Sequence, residues 1–421
     1  MSTKKQTPLY DWHARHGANI VEFGDYLMPV WYGGAKDEHL VVVNRAGLFD
    51  TSHMAAVRVI GPGAFDLLQW CFSRNLLACV GKDNAPLTPG RCVYGVFLDE
   101  RGHAVDDSIV YKVADQEYLA VVNAGMGGVI AAHLAANKGT RDVRLVDLTD
   151  QLGKIDLQGP ASVKIMRKVL QAPEAVFESM PYFSFKGHFD PSSPIAAGAR
   201  LADGTPLLLS RSGYTGEVGF EIFVERQHNV RVWELLLEAG AEFGLMACGL
   251  AARDSLRTGA VLPLSHQDIG PWPFIRNPWP FALPFDAAHA GFTKSFLGSA
   301  ALEKATDADY TLTFVGHDLR KVDAHQARAL DMAGQPLGSV LTCATDMAIG
   351  RHDGRIYSVA TPNPPAGLAI KGLSAGFIKV KKSLPPGTDV QISDGKRTIR
   401  VTIETDVRPD RTARKALKNF L

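Results

Sequence analysis

Two segments about a hundred residues apart hold the residues whose types could do chemistry. The first, Gly102-His-Ala-Val-Asp-Asp-Ser-Ile-Val-Tyr-Lys-Val113, sets two adjacent carboxylates in what otherwise reads as a strand. The second, Ser212-Gly-Tyr-Thr-Gly-Glu-Val-Gly-Phe-Glu221, is a glycine-punctuated loop carrying a tyrosine and two glutamates. Neighbouring side chains of a strand point to opposite faces, so one of Asp106 and Asp107 must face a core or cleft. A carboxylate there is hydrogen-bonded, ion-paired or functional, because an unpaired buried charge is very costly. The bland alternative is a hairpin whose acids cap a turn or pair with a nearby Lys or Arg. Glu217 and Glu221 sit four apart, which on a strand places them on one face. Arg253 and Arg257 share a helical face with Asp254 between them in sequence, a pattern that also suits a solvated ion-pair surface.

The elements around these residues are strands and helices intermixed. Ala55–Ile60 alternates as a strand and breaks at Gly61-Pro-Gly63, and Ala64–Cys71 has helical spacing. Arg91–Leu98, Val105–Val113 and Glu117–Asn123 read as a three-stranded meander, with a helix over Gly127–Asn137. A second block runs from Val143 through a strand ended by Gly159-Pro160 to a helix over Ala161–Leu170. Leu207–Arg211 and Gly219–Val224 bracket the Gly-Tyr-Thr-Gly loop as a hairpin, and Val230–Phe243 is an amphipathic helix. This is an α+β arrangement with antiparallel sheets rather than a doubly wound one.

His266–Phe285 carries five prolines with Trp272 and Trp279, which precludes a regular helix or central strand. It reads first as a structured linker and second as an aromatic lid over a pocket. After Asp309 helix signals nearly vanish. Tyr310–Val315, Gly376–Val380, Asp389–Ile392 and Thr398–Ile403 read as short strands, so a β-rich C-terminal domain is expected over residues 310–421, after a body of residues 1–309.

With 421 residues, two or three domains are expected, and 46% hydrophobic and 21% charged residues describe an ordinary soluble protein. A net charge of +1 gives no argument for nucleic acid or an anionic membrane. The five cysteines are odd in number and form no Cys-x-x-Cys pair, which argues against a disulfide framework or zinc site. Thirteen scattered histidines suggest no metal centre, and His13 and His16 read as a polar helix face. No Gly-x-Gly-x-x-Gly, Gly-Lys-Ser, His-Glu-x-x-His or Gly-x-Ser-x-Gly motif is present. The N-terminal stretch has neither signal nor transit character, and no run approaches the roughly 18 apolar residues of a membrane span, so a cytoplasmic location is expected.

Taken in order, several segments resemble the aminomethyltransferase (T-protein) family of the glycine cleavage system. They include Thr7-Pro-Leu-Tyr-Asp-Trp-His13, Gly24–Val30, Gly47-Leu-Phe-Asp-Thr-Ser-His-Met54 and Asp106-Asp-Ser-Ile-Val-Tyr111. Val121–Ala124, Gln158-Gly-Pro160, Tyr182–Phe185, Ser212–Glu221 and Ala252-Arg-Asp-Ser-Leu-Arg257 continue the series in register to about residue 260. The resemblance implies two interleaved domains within residues 1–309 around a central folate channel, and a β-rich last domain. It implies tetrahydrofolate as cofactor, no metal, and Asp107 as the catalytic carboxylate beside the reacting folate nitrogens. Glu221 matches the acid that binds the pterin, whose adjacent N–H donors suit a carboxylate. Met54, Tyr94, Tyr111, Asn123, Tyr182, Tyr214 and Arg253 match other folate-site positions.

The implied reaction moves a one-carbon unit from an aminomethyl donor, carried on the lipoyl arm of the H-protein, to tetrahydrofolate with release of ammonia. The pattern also departs from the family. Gly259 stands where a glutamate is usual, Ser265 for a tyrosine and Ala282 for an acid, and Arg351–Gly372 looks like an insertion. These changes suggest a rebuilt donor side, with Trp272 and Trp279 closing over a small donor, and put H-protein docking in question. Three readings follow: an aminomethyltransferase, a tetrahydrofolate-dependent demethylase of a small O-, S- or N-methylated compound, and a non-catalytic folate-binding regulator.

Overall fold

The meander forms. Arg91–Leu98, Ala104–Ala114 and Glu117–Val122 pair antiparallel in sequence order, and Ala55–Ile60 and Arg144–Asp147 extend them to a five-stranded sheet. Helices Ala64–Cys71 and Gly127–Ala136 cover one face, where Val57, Leu67, Phe97, Val110 and Ile130 are fully buried. Burying such side chains contributes about 1.5–3 kcal/mol each, which is why these strands hold their register. The computed structural model describes residues 4–421. Of the N-terminal stretch read above, Met1–Thr3 lie outside the described residues.

A second, six-stranded sheet has the order Phe185–Lys186, Leu208–Ser210, Gly219–Glu225, Leu152–Gln158, Gly47–Asp50, Met246–Ala247. Its Leu208–Ser210 and Gly219–Glu225 strands are the hairpin expected around the glycine loop. Helices Ser162–Val169 and Asn229–Gly240 pack on it, with Ile165, Phe220, Trp233 and Leu236 fully buried. Tyr111 and Leu119 of the first sheet share an apolar cluster with Leu208 and Phe223 of the second, so the two sheets meet face to face.

From Tyr310 onward the strands close into a six-stranded barrel in the order Tyr310–Gly316, Leu373–Val380, Pro336–Asp346, Arg328–Leu330, Asp389–Ser393, Thr398–Ile403. The Arg351–Gly372 segment contributes a small hairpin, Ile349–His352 with Arg355–Ser358, and an irregular return. The proline-rich stretch is neither a linker nor a lid of tryptophans. Ile269, Phe274, Trp279, Ala282 and Leu283 are buried against Val96, Leu98 and the barrel's Phe377, so the segment is a wall. His13 is also no polar helix face: it is fully buried, with Nε2 3.0 Å from Asp50 Oδ2.

Among the described residues, no helix is long and apolar enough to cross a membrane.

Candidate active site

The acid pair sits where the meander loses a strand. Asp106 lies opposite Phe97 and Asp107 opposite Val96, while pairing with the third strand starts only at Ile109–Val121. Beyond Val122 the chain turns away, and Asn123 takes the vacant ladder position. Its backbone N–H donates to Asp106 Oδ2 at 2.9 Å, and its Nδ2 donates to Asp106 Oδ1 at 2.8 Å and to Asp107 Oδ1 at 2.7 Å. Tyr94 Oη donates to Asp107 Oδ2 at 2.8 Å, and Ser265 Oγ to Asp106 Oδ1 at 2.7 Å. Strand alternation therefore separates the two acids only in part. Asp106 is fully buried and Asp107 reaches the cavity, yet both carboxylates end on one amide nitrogen.

Burial disfavours the charged form of each acid, and the two carboxylates repel. Burial first, then the Asp106 charge, pushes the Asp107 carboxyl up to about 7. Burial raises Asp106 to about 6 against the bonds from Ser265 and Asn123. The pair thus keeps a proton far above the ordinary carboxylate range. Tyr94 is held neutral, its ionisation opposed by burial and by the Asp107 charge, so it acts as a donor.

A second polar centre forms on the other sheet. Glu221 Oε1 accepts from Lys154 Nζ at 2.5 Å, and Oε2 accepts from Ser212 Oγ and, at a long 3.4 Å, from Tyr111 Oη. Arg253 Nη1 donates to Asp156 Oδ2 at 2.7 Å, and its guanidinium lies 4.9 Å over the Tyr214 ring. Burial would raise Asp156, but the Lys154 and Arg253 charges outweigh it and hold its carboxyl below the usual range. Gln158 staples the glycine loop by donating to the carbonyls of Ser212 and Phe220 at 3.2 Å each. A Cβ on Gly213 would lie 2.0 Å from Gln158 Oε1, so the loop closes this tightly only around glycine.

The two centres face one cavity of about 1460 Å³. Met54, Tyr94, Asp107, Asn123, Tyr182, Tyr214, Glu221 and Arg253 all line it. Tyr111 does not. It is fully buried behind Glu221 with its ring edge-on to Phe185 and Phe223, so it backs the wall rather than meeting a ligand. Glu217 does not share Glu221's surroundings, because the strand begins only at Gly219. Glu217 instead accepts from Thr412 Oγ1 at 2.5 Å and pairs with Arg408 at 3.3 Å.

The departures have structural counterparts. A Cβ on Gly259 would lie 1.7 Å from Asp346 Oδ2, an atom that pairs with Arg408 Nη1 at 2.6 Å. The missing glutamate therefore opens no space: an aspartate from the barrel fills it. Asp346 also meets His39 Nε2 at 3.0 Å. Burial opposes its ionisation, but Arg408 and His39 prevail and hold its carboxyl far below the usual range. Val261 and His266 both have left-handed backbones, with φ of 57° and 63°. For the β-branched Val261 that is strained. Trp279 is fully buried, donating from Nε1 to the Val261 carbonyl at 2.8 Å, and Trp272 lies under Lys379 Nζ at 4.0 Å. Pro280, Phe281, Leu283 and Phe285 line the cavity instead, with the Phe281 ring 5.8 Å from that of Tyr94.

Sequence reasoning missed Lys154, Asp156, Ser212 and His53. Lys154 and Asp156 carried a signal, two charges at i and i+2 on one face of an apolar strand. His53 lines the cavity with an unpartnered Nδ1, and burial pushes its imidazole down to about 4, so it is neutral.

Two facing sheets followed by a C-terminal β-barrel are an architecture shared with a solved protein. The crystal structure of glycine cleavage system aminomethyltransferase T from Bartonella henselae superposes with a TM-score of 0.75, covering 99% of each chain at 24% identity, which establishes the shared fold. The GCVT N-terminal domain family matches residues 9–272, and the chain belongs to that family. Aminomethyltransferase from Natranaerobius thermophilus is 31% identical over 96% of this chain and 98% of its own length. Aminomethyltransferase from Geobacillus thermodenitrificans is 35% identical over 80% of this chain and 86% of its own length.

Proposed function

We propose that the chain is a tetrahydrofolate-dependent aminomethyltransferase, forming methylenetetrahydrofolate and ammonia from an aminomethyl donor. The observation that carries the reading is the arrangement of Asp107 and Glu221 on two sheets that face one cavity. The residues fit a reduced folate: the cavity exceeds the roughly 300–1,000 Å³ of common ligand sites. Glu221 offers acceptor capacity, Arg253 donors, and Tyr182 and Tyr214 flat apolar faces. Tetrahydrofolate, when bound, supplies the secondary amine nitrogens that take up the one-carbon unit.

Asp107 is the group placed to accept a proton from an amine at its end of the cavity and to balance positive charge there. Tyr94 and Asn123 fix both of its oxygens, so its orientation needs no adjustment during reaction. Burial, with repulsion from Asp106 added to it, raises the Asp107 carboxyl. Pro280 and Phe281 narrow the cavity beside Tyr94 and limit water there.

The lipoyl arm of an H-protein is the favoured donor carrier. The chief departure against it, Gly259, is absorbed inside the protein by Asp346. The apolar wall of Phe281, Leu283 and Phe285 favours a second reading, demethylation of a small methylated compound. Residues 1–309 are proposed as the folate-binding body and 310–421 as a separate β-rich C-terminal domain, with the cytoplasm as the location. The deciding assay measures ammonia release from aminomethylated H-protein with tetrahydrofolate, beside methyl transfer from a panel of methylated small molecules. Turnover near about 10 per second with H-protein, a typical enzyme value, fits the first reading. Turnover only with a methylated compound establishes the second.

A further inference from the structure

We infer that Lys154 and Asp156 are the positioning pair for the pterin end of the cavity, holding Glu221 and Arg253 so that each keeps free hydrogen-bonding capacity toward a ligand. The inference rests on the folate reading above.

Asp156 lies directly across the ladder from Glu221, and both are buried. Like charges placed opposite each other on a sheet repel, and burial worsens the repulsion. Lys154, two residues earlier on the same face, sets its ammonium between them, 2.5 Å from Glu221 Oε1 and 2.7 Å from Asp156 Oδ1. Its third contact is Thr51 Oγ1 at 3.2 Å, which occupies all three ammonium donors. Asp156 passes its other oxygen to Arg253 Nη1. Two cations and two anions thus alternate with no net charge.

This order leaves capacity where a ligand needs it. Arg253 makes no other side-chain hydrogen bond among the described residues, so its remaining N–H groups are available, with its guanidinium held 4.9 Å over the Tyr214 ring. A carboxylate has about four acceptor sites, and Glu221 uses three, one of them the weak Tyr111 contact. The remaining site, on Oε1, is the capacity left for a ligand donor. Neither Lys154 nor Asp156 lines the cavity, so both act through the residues they hold.

The test uses the full-length protein, titrated with tetrahydrofolate and assayed at steady state. Lys154→Met and Asp156→Asn are expected to raise the folate Kd and KM by about 10–100-fold, the usual cost of losing a supporting partner. Turnover at saturating folate should fall far less, and Lys154→Arg should recover most of the affinity. Lys154→Met with Glu221→Gln should bind no worse than Glu221→Gln alone, because the two act as one unit. An unchanged folate Kd in variants of a wild type that binds folate overturns this inference and leaves the folate reading standing. So do fully additive losses. Should Lys154→Met not fold, Lys154→Arg and Asp156→Asn decide the matter. A wild type that does not bind tetrahydrofolate removes the folate reading, and this inference with it.

Discussion

The carboxylates of Asp106 and Asp107 are coupled through a single atom, accepting from Asn123 Nδ2 at 2.8 and 2.7 Å. Adjacent strand residues are ordinarily independent, and here they are one titrating unit. Asp107→Asn is expected to lower kcat by about 100- to 1,000-fold, the range seen when a preorganised electrostatic group is lost. Folate Kd should change little. Stopped-flow turnover beside equilibrium titration separates the two, and a matching loss in Kd would show Asp107 to be a binding group only.

Asp106→Asn should act on the pH profile rather than on the ceiling of the rate. Burial and then Asp106 repulsion push the Asp107 carboxyl up to about 7, so removing the Asp106 charge is expected to move the acidic limb of kcat to lower pH than in wild type. An unmoved limb would mean that the two acids titrate independently.

The same coupling reaches stability. Asp107's carboxyl is raised in the folded state, so the native protein binds more protons than the unfolded chain between the ordinary carboxylate value of 3.8 and about 7. Stability from this group is full at the acidic end and is lost as pH rises through that window. The stability of Asp107→Asn relative to wild type, read by thermal unfolding, should therefore rise as pH goes from about 4 to about 8. A constant difference would reject the raised value.

Gly259→Ala should destabilise strongly, because the new Cβ would occupy the position of Asp346 Oδ2 and break a buried ion pair. About 3–5 kcal/mol is expected from the lost pair. Gly259→Glu combined with Asp346→Ala should be more stable than Gly259→Glu alone. Chemical denaturation of the set reads this directly, and additive effects would disconnect the two positions.

Trp279→Ala should cost about 3–5 kcal/mol, as for a fully buried aromatic. Phe281 is 49% exposed and lines the cavity mouth, so Phe281→Ala should leave the melting temperature nearly unchanged and raise donor KM. Reversed effects would restore the tryptophan lid.

Much of this architecture was legible from pattern. Ala64–Cys71, Arg91–Leu98 and Thr398–Ile403 form over the spans their periodicity predicts. Pro336–Asp346 was not legible, because its buried alternate positions are Val340, Thr342, Ala344 and Asp346, of which two are polar and one is small. Tyr111 resembled a ligand-facing residue because sequence shows type and order but not which side of Glu221 a ring occupies. The proline-rich wall was misread for a related reason. Its partners, Val96, Leu98 and Phe377, lie far away in the chain. The proposed role of Lys154 depends on a cross-strand pairing with Glu221's strand 67 residues on, which no local window contains.

Asp346 comes from the barrel, yet it stands beside Gly259 in the helix Leu250–Gly259, next to Arg253 and Arg257 on the cavity wall. The barrel is therefore not an interchangeable module. A chimera that joined this body to a relative's C-terminal domain lacking that aspartate would leave His39 without its partner beside Gly259. The reverse graft, this barrel on a body with glutamate at position 259, would force two carboxylates into one site. Exchange of C-terminal halves between relatives is thus restricted by one residue pair on either side of the junction, and recombination libraries should be designed to carry positions 259 and 346 together.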